Sequence, residues 1–451
     1  MGKLFGTDGV RGKANQGDMT VETATRLGRG VAFYFKEQAA NDEVRPTIVI
    51  GRDPRLSGPM LEAALTAGIC SAGVDVRLLG VVPTPAVAQA TVQSGAVAGL
   101  VVSASHNPFF DNGIKVFKGD GFKLSDKEEE AIEELSLTNP VELPVEEAVG
   151  TVFHLENALE QYIDFCRSTL PAGQPLAGLK LVLDCSNGAT SACAEAVFCG
   201  LGATVEVIHS EPDGININDQ CGSQHTEDLC AKVVEMGADA GLAFDGDGDR
   251  LIAVDEKGNE LTGDQIMAIC AKSYKATGDL KNNRVVATVM SNVGFHAAMR
   301  ALDIQTDTAG VGDRQVLELM RRNDAVLGGE DSGHMIFLDC HTTGDGIVSA
   351  LKLMQVLGTS GKTLSELSGV MTPFPQKLIN VDVKEKPPIE TVEGIVAAVS
   401  AAEIELGESG RVLIRYSGTQ PMCRVMVEGP TMEQTCSIAE RLADVVAKEL
   451  G

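Results

Sequence analysis

Leu181-Val182-Leu183-Asp184 runs into Ser186-Asn187-Gly188, then a helical stretch over residues 194–201, then Ala203-Thr204-Val205-Glu206-Val207-Ile208. An apolar run, a polar loop with glycine, a helix and a second apolar run make a βαβ unit. The order occurs twice more. Thr47-Ile48-Val49-Ile50 leads through a helical stretch at 58–72 into a strand at 74–79. Val285-Val286-Ala287-Thr288 leads through Ser291-Asn292 and a helix at 296–302 into a strand at 304–309. Such units imply largely parallel sheets, and a repeat of roughly a hundred residues is too long for a solenoid. The fold class is therefore α/β, with three tandem mixed α/β domains of similar topology. The tail breaks the pattern. Strands at 411–416 and 423–427 flank Ser417-Gly418-Thr419-Gln420-Pro421, and an amphipathic helix at 431–450 follows, which reads as a smaller C-terminal α+β domain. Linker positions divide the chain at 1–155, 156–257, 258–370 and 371–451.

With 451 residues the chain exceeds what one hydrophobic core serves, and 44% hydrophobic with 22% charged residues is ordinary for a globular fold. The net charge of −26 argues against a nucleic-acid or anionic-membrane partner, because counterion-driven binding needs a positive face. An anionic substrate must then be caught by local cations. Eleven cysteines without a Cys-x-x-Cys pair read as small buried hydrophobes rather than a disulfide frame or zinc site, which points to a reducing cytosol. The N-terminus carries no apolar signal stretch, and no run is long enough to span a membrane. A cytoplasmic location is expected.

Asp245-Gly246-Asp247-Gly248-Asp249-Arg250 sets three carboxylates at alternate positions between the apolar runs 241–244 and 251–254. Carboxylates packed this closely repel one another unless a hard divalent cation neutralises them, and the glycines let their oxygens converge. The bland alternative is a solvated acidic turn between strands. An EF-hand fits less well: Arg250 stands where that loop needs glycine, and the flanks are β-prone rather than helical.

Residues 97–102 form an apolar run that ends in Ser103-Ala104-Ser105-His106-Asn107-Pro108. Hydroxyls and an imidazole just past the end of a buried strand lie where open α/β sheets bind ligands, although serines there can also simply cap the next segment. Asp111-Asn112-Gly113-Ile114-Lys115 follows, with Asn-Gly as a tight-turn signal and Lys115 as an acid or base, or else a snorkelling strand lysine. Gly328-Gly329-Glu330-Asp331-Ser332-Gly333-His334 mixes carboxylate, hydroxyl and imidazole, which suits sugar hydroxyls and equally a surface turn. Arg415-Tyr416-Ser417-Gly418-Thr419-Gln420, with Arg424 nearby, offers guanidinium, hydroxyl and amide donors without acids, the combination that holds a phosphate. The same logic covers Thr7-Asp8-Gly9-Val10-Arg11-Gly12 and Gly312-Asp313-Arg314.

In their order, Phe5-Gly6-Thr7-Asp8-Gly9-Val10-Arg11-Gly12, the Ser103 loop, the Asp245 loop, Gly329 to His334 and Arg415 to Gln420 resemble the α-D-phosphohexomutase family over nearly the whole chain. Ser103 matches the branch that handles glucosamine phosphates; branches acting on glucose or mannose phosphates more often carry Thr there. The resemblance implies four domains around a central cleft. It further implies interconversion of glucosamine 6-phosphate and glucosamine 1-phosphate through a phosphoserine and a 1,6-bisphosphate, toward amino-sugar nucleotides and cell-wall precursors. Phosphomannomutase or phosphoglucomutase activity is the alternative. By the same resemblance Ser105 is the phosphoserine, and Ser105, Asp245, Asp247 and Asp249 hold Mg²⁺. Lys115, His106, His334 and Arg250 serve the chemistry. Arg11, Arg314, Glu330, Ser332, His334, Arg415, Ser417, Gly418, Thr419 and Arg424 bind the phosphosugar. A sugar 1,6-bisphosphate is the expected activator, and the resemblance leaves room for a homodimer. Gln420 departs from the family, many members of which carry Glu there.

Overall fold

The computed structural model describes residues 4–6, 9–38, 45–138, 142–417 and 421–451. It packs as two compact units, Met1–Met290 with Gln305–Gly369, and Ser291–Ile304 with Val370–Gly451.

The first unit contains three sheets. One is built from β1 (Val10–Lys13), β2 (Thr47–Arg52), β3 (Asp75–Val81), β4 (Ala98–Val102), β5 (Asp111–Lys118) and β6 (Val152–His154), in the order β1-β5-β4-β2-β3-β6. The next holds β7 (Lys180–Asp184), β8 (Thr204–Ile208), β9 (Ala240–Phe244), β10 (Leu251–Asp255) and β11 (Glu260–Leu261), in the order β11-β10-β9-β7-β8. The third holds β12 (Arg284–Thr288), β13 (Gln305–Ala309), β14 (Leu327–Gly329) and β15 (Met335–Phe337), in the order β13-β12-β14-β15. One four-strand motif recurs in all three. β3-β2-β4-β5, β8-β7-β9-β10 and β13-β12-β14-β15 each pair parallel, parallel, then antiparallel.

Residues of β4 and β9 are buried throughout, which is why these strands read as continuous apolar runs rather than alternating ones. Helices cover both faces of the first sheet. Leu27 and Val31 of Val21–Glu37 and Leu61, Leu65 and Ile69 of Gly58–Ser71 pack with Ile48, Ile50 and Leu100. Helix Thr84–Ser94 lies on the other face, where Thr91 and Val87 crowd Gly99. The Asn-Gly turn expected at Asn112-Gly113 is not formed. Both residues sit inside β5, opposite Gly12 and Arg11 of β1, and the Asn112 amide donates to Ser57 Oγ at 2.8 Å. The local turn preference yields to pairing on both edges of the strand.

The second unit holds β16 (Gln376–Asp382), β17 (Arg411–Tyr416) and β18 (Met422–Glu428), antiparallel in the order β16-β18-β17. Helices Glu393–Leu406 and Met432–Leu450 cover it, and Ile395, Leu406, Ile438, Leu442 and Val446 meet Cys423, Val425 and Val427. The helix Val293–Ala301 belongs here although its sequence continues the third repeat. Val293 N donates to Glu428 Oε2 at 2.8 Å, and Asn292 exchanges hydrogen bonds with the Phe374 backbone at 2.9 and 3.0 Å. Among the described residues no helix is long and apolar enough to cross a membrane.

Candidate active site

In each repeat, the loop from the last parallel strand to its antiparallel partner carries the polar motif read from sequence. Residues 103–110 join β4 to β5, residues 245–250 join β9 to β10, and residues 330–334 join β14 to β15. These loops converge. Ser105 Oγ donates to Asp245 Oδ2 at 2.6 Å, and the Thr84 N–H donates to the Asp247 carbonyl at 2.8 Å. Leu251 N donates to Gly333 O at 3.0 Å, and Arg250 pairs with His334 as an isolated antiparallel bridge. Behind the acidic loop stands the N-terminus of helix Gly346–Ser360, whose Gly346 N–H donates to Gly248 O at 2.9 Å. A Cβ on Gly346 would lie 2.4 Å from the Arg250 carbonyl, so only glycine allows that approach.

Ser105 has φ 54°, the left-handed region that non-glycine residues rarely enter. Such strain concentrates where a side chain must be held in one direction. Lys115 is buried, with Nζ 2.8 Å from Asp247 Oδ2 and 3.1 Å from Asp249 Oδ2, so it is no snorkelling lysine. His334 is also buried, its Nδ1 3.5 Å from Asp249 Oδ1 and its Nε2 3.5 Å from Asp313 Oδ2. Burial opposes ionisation of Asp245 and Asp249. At Asp245 burial and the Asp249 and Asp247 charges push the carboxyl well above its usual range. At Asp249 the Lys115 ammonium, then His334, outweigh burial and hold it well below. His106 lies beside the serine, Nδ1 3.4 Å from Ser105 Oγ, and burial followed by the Arg250 and Arg11 charges lowers it to about 4. Its imidazole is neutral at physiological pH. His334 moves the other way: Asp249 outweighs burial and raises it.

Asp245, Asp247 and Asp249 place ligand oxygens within 4.8 Å of one another, all buried. Among the described residues, Asp247 Oδ1 and Asp249 Oδ1 have no hydrogen-bond partner. A buried carboxylate oxygen left without a donor costs about 1–3 kcal/mol or more. Hard oxygen donors with open lone pairs fit a divalent cation such as Mg²⁺. The flanking strands pair with each other, so the loop is a β-hairpin turn and not an EF-hand.

The remaining residues of the first unit differ in placement. Arg250 Nε is 3.8 Å from Asp249 Oδ1, and Glu330 Oε1 accepts the Gly312 N–H at 3.0 Å. Ser332 is half-buried in the third loop, and Arg11 is exposed on β1. Arg314 pairs with Asp126 and, at 2.9 Å, with Glu129, and shares a small cavity with Lys115 and Lys123. Sequence reading missed Thr84, whose hydroxyl donates to Asp247 Oδ2 at 2.5 Å, and the ion pair of Lys123 with Asp313. Neither Thr84 nor Lys123 carries a local signal, whereas Asp313 belongs to Gly312-Asp313-Arg314.

In the second unit Arg415 and Arg424 face each other across β17 and β18. Like charges directly opposite are destabilising. Burial, then Arg424, lowers the Arg415 pKa, and Arg424 Nε has no hydrogen-bond partner among the described residues. Lys386, which sequence reading missed, donates to Ser417 O at 2.7 Å in the loop after β17. Such a cluster is suited to an anion. Gly418, Thr419 and Gln420, like Thr7 and Asp8, lie outside the described residues.

The four phosphoglucomutase/phosphomannomutase domains match in order: α/β/α domain I over residues 2–140, domain II over 160–258, domain III over 262–374 and the C-terminal domain over 378–445. A phosphoglucosamine mutase of Syntrophus aciditrophicus is 55% identical over 453 residues, covering 100% of both chains. That of Geobacillus thermodenitrificans is 49% identical over 454 residues, again with 100% of both covered. Among solved structures, a phosphoglucomutase/phosphomannomutase family protein from Burkholderia thailandensis superposes with TM-score 0.83 at 23% identity, covering 99% of this chain and 97% of that one. The N-acetylphosphoglucosamine mutase of Aspergillus fumigatus, in complex with GlcNAc-6P and magnesium, gives TM-score 0.69 at 17% identity over 100% and 96% of the two chains. With every domain matched in sequence order and relatives half identical along their entire length, the chain belongs to the phosphoglucomutase/phosphomannomutase family.

Proposed function

We propose that the protein is an isomerase that interconverts glucosamine 6-phosphate and glucosamine 1-phosphate by way of a phosphoserine at Ser105. The observation that carries this reading is the Ser105 hydroxyl, held in a strained backbone 2.6 Å from Asp245 where three domain loops meet. The substrate class follows the relatives named for glucosamine phosphate, half identical over full length. Asp245, Asp247 and Asp249, with a phosphoryl oxygen on Ser105, are the residues that would hold Mg²⁺, which when bound supplies positive charge against the transferring group.

PhosphoSer105 gives its phosphoryl group to the free hydroxyl of the sugar phosphate: the new O–P bond forms at the sugar as the Oγ–P bond breaks. His106, neutral and beside Oγ, accepts the hydroxyl proton; Lys115, ion-paired with Asp247 and Asp249, is placed to donate one to the leaving Oγ. The product is glucosamine 1,6-bisphosphate. It turns over and returns its other phosphoryl group to Ser105, so a trace of sugar 1,6-bisphosphate serves as activator of unphosphorylated enzyme. Arg250 stands beside the acidic loop to offset charge on the moving group, while Glu330 and Ser332 meet the sugar hydroxyls and His334 orients Asp249. Arg415, Arg424, Ser417, Gly418 and Thr419 grip the phosphate that does not react, and Arg11 and Arg314 complete the binding of the phosphosugar.

The test is isomerisation of glucosamine 6-phosphate with trace bisphosphate, read with mass spectrometry of the Ser105 peptide. Product with phosphate on that peptide is expected. An active wild type with no phosphate on the peptide, or Ser105→Ala with full activity, overturns the route. Comparing kcat/KM on glucosamine, glucose and mannose 6-phosphates tests the sugar.

A further inference from the structure

Arg55 is the largest fully buried side chain among the described residues, and its guanidinium uses every donor it has. Nε donates to Asp53 Oδ2 at 2.8 Å. Nη2 donates to the carbonyls of Ser105 and Asn107, both at 2.8 Å, and Nη1 to those of Asp111, at 3.1 Å, and Pro108. Three carbonyls of the serine loop and that of Asp111 at the start of β5 thus converge on one cation, an arrangement that repels itself and strands buried acceptors once the cation is gone. Asn218 reinforces it from the second sheet domain. Its Nδ2 donates to the same Ser105 and Asn107 carbonyls, at 2.9 and 3.0 Å. The Ser105 N–H is fixed as well, donating at 2.9 Å to Ser103 Oγ, which donates to Asp53 Oδ2 at 2.6 Å. Both peptide groups of the strained serine are therefore tied, and its side chain alone reaches across to Asp245. The acidic loop rests on the same cradle: a Cβ on Gly246 would lie 2.7 Å from Ser105 O and 2.8 Å from Asn218 Nδ2.

We infer that Arg55 and Asn218 are positioning residues for phosphoryl transfer, holding the Ser105 backbone in its left-handed conformation so that Oγ stays on the acidic loop in every step. The inference rests on the phosphoserine reading above. Because a planar five-donor fork fills the site, lysine cannot replace it.

The experiment measures full-length Arg55→Lys and Asn218→Ala on glucosamine 6-phosphate with Mg²⁺ and trace bisphosphate, beside wild type. Arg55→Lys is expected to lower kcat about 10- to 100-fold, and Asn218→Ala roughly 3- to 10-fold, with KM within about twofold, in the range of losses when supporting partners of a site are removed. Single-turnover transfer from phosphorylated Ser105 should slow by the same factor, and free guanidinium should restore part of the activity of Arg55→Ala. Unchanged kcat in both variants, or losses that only track the folded fraction in thermal melts, overturns the cradle. Should Arg55→Lys fail to fold, the half-buried Asn218 decides by the same readouts. An active wild type without phosphate on Ser105 overturns the phosphoserine reading instead, so the two failures are distinct.

Discussion

The second sheet domain contains two side-chain groups that could hold a metal, and they resolve differently. Asp245, Asp247 and Asp249 form one, and Asp184, His209 and Cys221 the other. Both lie at strand ends. In the first, two carboxylate oxygens have no hydrogen-bond partner among the described residues. In the second, both oxygens of Asp184 are engaged by donors: Oδ1 accepts the Ser186 N–H at 2.8 Å, and Oδ2 accepts the Gly222 N–H at 3.0 Å and His209 Nδ1–H at 2.9 Å. His209 Nε2 turns to Asp228 at 3.3 Å. Counting lone pairs, not acids, separates a cation site from a structural hub. Asp184 spends its charge ordering a run of left-handed residues, Ser186, Asn187 and His209, that no helix or strand would organise.

The largest effect is expected at the acidic loop. Asp247→Ala is expected to lower kcat roughly a thousandfold or more, the several kcal/mol that a catalytic cation supplies, while the fold melts near the wild-type temperature. Elemental analysis should find one divalent ion per wild-type chain and none in the variant; two ions per chain would mean that the Asp184 group binds metal too. Asp184→Ala should do the opposite, costing about 3 kcal/mol in urea unfolding by stranding buried donors, with kcat per folded molecule little changed.

His209→Ala sharpens the contrast through pH. The Asp184 hydrogen bond, opposed by burial, raises the His209 pKa above its ordinary 6.5. A raised folded value means that stabilisation is full below the unfolded value and is lost as pH rises through the folded one. The stability gap between wild type and His209→Ala should therefore be widest below pH 6.5 and shrink above neutrality. A gap that grows with pH would show that the imidazole is not the proton donor. Smallest of all should be Cys221→Ala. Its thiol is pushed up to about 12 by burial and then by Asp184, so it is inert, and the variant should keep its activity and metal content. Alkylation should reach exposed Cys199 first.

Much of this was legible in the chain. The three repeats appear as apolar runs flanking polar loops, because β2, β7 and β12 are covered strands whose period reflects burial. The Ser105 and Asp245 loops announce themselves because strand ends and glycine-spaced carboxylates are local patterns. Other assignments needed the fold. Asn112-Gly113 has the chemistry of a turn but lies in β5, since pairing on two sides outweighs a dipeptide preference. Lys115 is ambiguous until Asp247 and Asp249 are brought to it from more than a hundred residues away. Helix Val293–Ala301 follows the third repeat in sequence yet packs with the C-terminal unit, because Glu428 and Phe374 hold its start.

The repeat architecture, the acidic loop, the serine loop and the family are readable from the chain alone, because each is written within a few neighbouring residues. Folding was needed to show which carboxylate oxygens lack donors, that Thr84 reaches Asp247, Lys123 reaches Asp313 and Lys386 reaches Ser417, and that Arg55 and Asn218 bond the serine backbone. Those facts depend on distances between residues remote in the chain and on which lone pairs remain unfilled once it has folded, and neither is encoded in any local pattern.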